Sequence, residues 1–215
     1  MDPVLHPLHL GARLTPAEVH NAIRHLRRVD PMMKSLIKLH GVIALSTIKN
    51  DFDTLASIII GQQLSGKAAD TIFARIRTAA GSGRLTAKRM AGCSDAQLQK
   101  AGVSRPKIRA LRSLTEHVQM RKLQVSKLAM LRDEVVFEKI TQVRGMGPWS
   151  AQMYLMFVLA RPDIFPEKDL GIRKAIVRHY GVELSPDSLE KITACWRPYR
   201  TIACLYLWRS LNNRP

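Results

Sequence analysis

Acidic side chains are scarce in this chain. Against 34 Lys and Arg there are only 17 Asp and Glu, a formal net charge of +17 and a pI near 10.4. A surplus of that size repels itself in isolation and is best tolerated beside a polyanion. Nucleic acid is therefore the first class of partner to consider, and an anionic membrane surface the second. Long blocks of like charge are missing as well. The cations alternate with apolar residues in "VSRPKIRALRSL" and "IRKAIVRHY", as on folded helices, which argues against a disordered basic tail.

Cysteine is equally sparse. Cys93, Cys195 and Cys204 are too few and too scattered for a disulfide framework, a zinc finger or a four-cysteine iron–sulfur cluster, so metal of those kinds is not expected, and the expectation is a protein that requires no cofactor. The histidines include His6/His9 and His20/His25 but no HExxH and no cluster with cysteine, so they read as surface or structural residues. The longest apolar runs, "LASIII" and "MYLMFVLA", fall short of the roughly 20 residues of a membrane span. The segment "MDPVLHPLHLGARLTP" has an early acid, three prolines and no apolar core, so it resembles neither a signal nor a transit peptide. The expectation is an intracellular protein with no membrane association, placed in the cytoplasm or nucleoid of a bacterium or the nucleus of a eukaryote.

Strand alternation is absent too. Apolar residues recur at helical spacing in Phe52, Leu55, Ala56, Ile59, in Leu64, Ala68, Ile72, Phe73, Ile76, and in Leu131, Val135, Val136, Ile140. Punctuation falls between these runs: "AAGSGR", Gly102 with Ser104 as an N-cap, "ARPDIFPEKD" and "LSPDS". With 46% apolar residues in 215 a sizeable core is available. The reading is all-α: one domain over 1–215, a bundle of about ten helices in two lobes.

The stretch "QVRGMGPWSA" lies between two helical patterns. Val143 closes the pattern begun near Leu131. Gly145 and Gly147 supply positions of positive φ or close approach, and Pro148 suits the first turn of a helix that continues through Trp149, Met153, Met156, Phe157 and Ala160. The expectation is a helix, a four-residue hairpin and a helix over about 131–160. N–H groups around the two glycines and the positive end of the second helix then face outward toward an anion. A DNA phosphate suits the charge; a plain αα turn is the alternative. Read alone, Asp169 is an N-cap with Arg173 as ion-pair partner. "GQQLS" is a helix–helix junction with Ser65 as N-cap, and Trp149 and Trp208 are core.

The block "VRGMGPWSAQMYLMFVLARPDIFPEKDLGIRKA" resembles the signature of the helix-hairpin-helix (HhH-GPD) DNA glycosylases, with its Gly-Pro-Asp region at Gly145, Gly147, Pro148 and Asp169. "ASIIIGQQLSGKAA" and "WRPYRTIACLYLW" extend the likeness over about residues 30 to 211. They make it most similar to the 3-methyladenine DNA glycosylase II branch, in the compact form without the β-rich N-terminal domain of some relatives.

The resemblance implies a two-lobed helical glycosylase fold. It also implies an enzyme that flips alkylated purines (3-methyladenine, 7-methylguanine, with ethenoadenine left open) out of double-stranded DNA as a monomer. It implies that Asp169 is the catalytic carboxylate, with Glu167 a weaker supporting candidate and Lys168 standing where many relatives carry another acid. Trp149, Trp208, Met153 and Tyr154 become the base pocket. Its ring faces would favour a cationic base by roughly 0.5–2 kcal/mol. Gln63, with Leu64, becomes the wedge that fills the emptied stack. Gly145, Gly147, Arg144, Ser65 and Lys67 become phosphate contacts, with Arg105, Lys107 and Arg109 as further candidates. A sodium or potassium ion on the carbonyls of Val143 and Met146 is a further implication. Relatives that also cut the strand carry a lysine nucleophile where this chain has Trp149, which implies a monofunctional enzyme. Two alternatives remain: a non-catalytic helix-hairpin-helix protein that recognises damaged or structured DNA, and a glycosylase for oxidised or mismatched bases.

Overall fold

The structure is a computed structural model that describes residues 14–43, 48–64 and 66–212; Ser65, His6 and His9 lie outside them. In chain order the helices are α1 (Pro16–Val29), α2 (Pro31–His40), α3 (Phe52–Gly61), α4 (Gly66–Ala79), α5 (Ala87–Gly92), α6 (Asp95–Lys100), α7 (Arg105–Gln119), α8 (Asp133–Thr141), α9 (Pro148–Met153), α10 (Leu170–Tyr180), α11 (Pro186–Thr193) and α12 (Arg200–Asn212). Short 3-10 segments cover Val125–Met130 and Ala194–Trp196, and one π turn, Tyr154–Val158, continues α9. No described residue is in a strand. The chain is all-α, as its periodicity indicates.

Three details depart from the periodic reading. There are more than ten helices because α5 and α6, six residues each, are too short to carry a readable period. The helix expected from Leu131 starts at Asp133, since Leu131 and Arg132 are extended after the 3-10 segment. Leu64 sits in the turn before α4 rather than on it.

The described residues divide into two compact units, one within residues 48–158 and the other made of residues 14–43 and 159–212. In the first, α7 turns a stripe of Ile108, Leu111, Leu114 and Thr115 inward at helical spacing and packs on α3 and α5. Asp53, buried on the first turn of α3, receives the Arg77 guanidinium of α4 and the Leu85 amide at 2.7 Å. One carboxylate thus fixes α3, α4 and the approach to α5, with its charge fully paired.

In the second unit a capping box between Thr15 and Glu18 and a proline at the first position start α1. Asp30 then ends α1 and caps α2. Its Oδ1 accepts the Met32 and Met33 amides at 2.8 and 3.1 Å, and its Oδ2 accepts the Tyr180 hydroxyl and the Trp196 indole N–H at 2.7 Å each. Both oxygens of a buried carboxylate are doubly satisfied, so the N-terminus of α2, the end of α10 and the fully buried Trp196 are tied to one point. α10 packs along α12 and stops at Gly181, which is left-handed at φ 63°.

Candidate nucleic-acid interface and catalytic carboxylate

The first unit carries the hairpin and the two residues expected to form a wedge, and Gln62, the residue just before them, is bonded to the hairpin. α3 ends at Gly61, and Lys107 of α7 reaches into this end: its Nζ donates to the Ile60 carbonyl at 2.6 Å and the Gln62 carbonyl at 2.8 Å. Burial lowers the Lys107 pKa. This ammonium therefore caps α3, and its expected contact with phosphate is corrected: the carbonyls at the negative end of the helix hold it. The Gln62 side chain points at the hairpin, its Nε2 donating to the Gly145 carbonyl and the Ser150 hydroxyl, both at 2.9 Å. The next residue, Gln63, is exposed and left-handed at φ 57°, a conformation that costs a non-glycine residue roughly 1–2 kcal/mol. Leu64 beside it is 39% exposed. The two residues singled out as a wedge are held outward on a strained turn.

The hairpin spans six residues, 142–147, rather than four, because α8 stops at Thr141 and the Gln142 and Val143 amides close on the carbonyls of Glu138 and Ile140. Gly145 has φ 81°, and a Cβ there would stand 2.7 Å from the Cβ of Ala110, so a close approach to α7 as well as a left-handed backbone demands glycine. Gly147 does not take positive φ: it is extended at φ −88° as N-cap of α9, with open space where a Cβ would be. Among the described residues the amides of Gly145 and Gly147 donate to no protein acceptor, and Arg144 beside them is exposed while its own amide is bound by Ser113 Oγ at 3.1 Å. Val143 and Met146 are buried; the Val143 carbonyl accepts the Met146 amide at 2.9 Å, which leaves it a second lone pair for a cation.

Trp149, the second residue of α9, is 43% exposed. Met153 and Tyr154 are buried at the step from α9 into the π turn, and the Tyr154 hydroxyl donates to Asn50 Oδ1. π turns recur at functional sites. Lys67, Arg105 and Arg109 are exposed.

The second unit carries the carboxylate. Asp169 caps α10, its Oδ1 accepting the Ile172 amide at 2.9 Å, and the same oxygen accepts the indole N–H of Trp208 at 2.8 Å. Both residues are half-buried. Arg173 sends a guanidinium N–H to the Glu167 carbonyl at 3.4 Å, and Glu167 and Lys168 are exposed. Gly171 permits this arrangement: a Cβ there would lie 3.0 Å from Trp208 Cδ1 and Nε1 and 3.1 Å from Asp169 Oδ1. Sequence reasoning put Trp208 in the pocket but missed its bond to Asp169, and it missed Gly171, Gln62 and Ser113. Of these only Gly171 was hinted at, by the "DLG" run that follows the loop. Among the described residues no three His, Cys, Asp or Glu side chains group as a metal site.

Residues 56–200 match the HhH-GPD superfamily of base excision DNA repair proteins. The chain is 30% identical over 204 residues to DNA-3-methyladenine glycosylase 1 of Schizosaccharomyces pombe, covering 92% of this chain and 87% of that one. A crystal structure of a DNA-3-methyladenine glycosidase from Bacillus halodurans superposes with a TM-score of 0.80 at 34% identity, over 89% of each chain. The S. pombe 3-methyladenine DNA glycosylase Mag1 in complex with abasic DNA gives 0.76 at 28% identity, over 90% of this chain and 97% of that one. The chain therefore belongs to the HhH-GPD superfamily of base excision DNA repair proteins, among relatives that are DNA-3-methyladenine glycosylases.

Proposed function

We propose that this chain is a monofunctional DNA glycosylase that extrudes an alkylated purine, such as 3-methyladenine or 7-methylguanine, from duplex DNA and hydrolyses its N-glycosidic bond, leaving an abasic site. The observation that carries this is Asp169: a half-buried carboxylate whose Oδ1 is fixed by the Ile172 amide and the Trp208 indole, in a chain whose relatives are named for that activity.

Cleavage of the N-glycosidic bond builds positive charge on the deoxyribose. A carboxylate held in place by two donors stabilises that charge in the transition state more than in the ground state and needs no reorganisation to do so. The same carboxylate orients or deprotonates the attacking water. A methylated purine already carries positive charge and leaves without a second acid. The same charge draws it to an electron-rich ring face such as that of Trp208 beside the carboxylate. Position 149 holds an indole, so there is no amine for a Schiff base, and water is the nucleophile. The hairpin amides and Arg144 take a phosphate. A monovalent ion on the Val143 and Met146 carbonyls would add positive charge there.

The test is incubation with methylated duplex DNA and identification of the free bases. The expected products are 3-methyladenine and 7-methylguanine, with no protein–DNA adduct trapped by borohydride. Asp169→Asn keeps duplex affinity and loses about 10²–10³ in base release, the typical cost of removing one preorganised electrostatic group. Wild-type protein that binds duplex DNA and liberates nothing from a broad lesion panel would overturn the proposal in favour of a non-catalytic binder.

A further inference from the structure

We propose that Lys107 is a positioning residue for the wedge: clamped on the carbonyls of Ile60 and Gln62, its ammonium holds Gln63 in the left-handed turn from which it enters the duplex. The proposal rests on the glycosylase reading only in so far as that reading makes Gln63 the wedge.

The argument is one of place. The two acceptors of Lys107 straddle Gly61, and the second belongs to the residue immediately before Gln63. No carboxylate pairs with this ammonium among the described residues, so its charge is satisfied by the helix end alone. Partial burial lowers its pKa. From the other side Gln62 is pinned by its own side chain to the Gly145 carbonyl and the Ser150 hydroxyl. The backbone at residue 62 is thus held by α7 and its side chain by the hairpin. Gln63, with its unfavourable φ of 57°, follows with little freedom to relax. Insertion into a base stack pushes back on the inserted residue, and a loop without these ties would yield before the stack opens. The same bonds make the wedge and the proposed phosphate clamp one rigid piece, so that gripping the strand sets where the wedge enters.

The test uses the full chain and a duplex carrying 2-aminopurine beside a reduced abasic position, whose fluorescence rises when the neighbouring stack is opened. Wild type is expected to give the rise. Lys107→Met, which keeps the stem and removes the amine, is expected to bind the duplex with little change in affinity and to lose the inserted population by about tenfold, the scale of losing charge-assisted hydrogen bonds. Lys107→Arg is expected to restore it. A full rise from Lys107→Met, no rise from wild type, or affinity and fluorescence falling together without recovery in Lys107→Arg would each overturn the proposal. Should Lys107→Met fail to melt cooperatively, Gln62→Ala serves in its place: a reduced rise supports the clamp and a full one overturns it. The readout involves no base release. A protein that inserts but excises nothing therefore refutes the glycosylase and leaves this inference standing.

Discussion

Two residues show how little room this chain leaves around its fixed charges. At Gly171 the hydrogen of glycine is the largest group that lets the Trp208 indole reach Asp169, because a Cβ would press on both at 3.0 and 3.1 Å. Gly171→Ala is expected to keep the fold, since the backbone there is ordinary helix, and to push the ring and the carboxylate apart by a few tenths of an ångström. Misplacement on that scale costs about tenfold or more in a positioned reaction, to be read as the single-turnover rate of base release; an unchanged rate would mean that the indole bond does not position the carboxylate. Asp30 is the opposite case, a buried carboxylate with no chemistry to perform. Asp30→Ala strips four donors, on Met32, Met33, Tyr180 and Trp196, of their acceptor. At about 1–3 kcal/mol for each buried group left unpaired, the loss of unfolding free energy is expected to exceed about 3 kcal/mol, measured by denaturant titration.

At the scale of elements the hairpin separates two glycines that look alike in sequence. Gly145→Ala is expected to move α7 and α8 apart and to weaken duplex binding, because its left-handed backbone and its contact with Ala110 both exclude a Cβ. Gly147→Ala is expected to bind duplex DNA nearly as wild type does, having an ordinary φ and open space. Equal losses from the two in a titration at fixed salt would contradict this. The pair also shows what was legible in advance. Periodicity located α3, α4 and α8, whose apolar residues recur at helical spacing, and proline and glycine located the hairpin. Spacing along the chain could not say which glycine meets α7, which of Gln62 and Gln63 faces outward, or that Lys107 spends its charge on a helix end. Those outcomes depend on partners far along the chain: Ala110 for Gly145, Ile60 and Gln62 for Lys107, and Gly145 and Ser150 for Gln62. Asp169 was readable as a cap from its loop, but its bond to Trp208, 39 residues on, becomes visible only when α10 lies against α12.

For the molecule as a whole, charge sets how it responds to acid. With histidines neutral the chain already carries +17, so each added proton is taken up against self-repulsion. Two imidazoles of the second unit are held below their ordinary value of about 6.5. Burial lowers His179, with Arg178 and His40 adding to it, and burial lowers His40, with Arg209 adding to it. His179 also faces Ser210, whose hydroxyl donates to the Leu207 carbonyl and so accepts from His179 Nε2 at 2.8 Å. The unfolded chain binds protons at these sites before the folded one does. Stability is therefore full above the ordinary value and is lost as pH falls from there through the depressed folded values. Tm is expected to decline from about pH 6.5 downward, and His179→Gln, which keeps a donor for Ser210 and cannot charge, is expected to flatten that decline. A decline equally steep in His179→Gln and in a double variant with His40→Gln would place the acid sensitivity elsewhere. Duplex DNA, binding only the folded protein and offsetting its charge, is expected to raise Tm most at the acid end of the range.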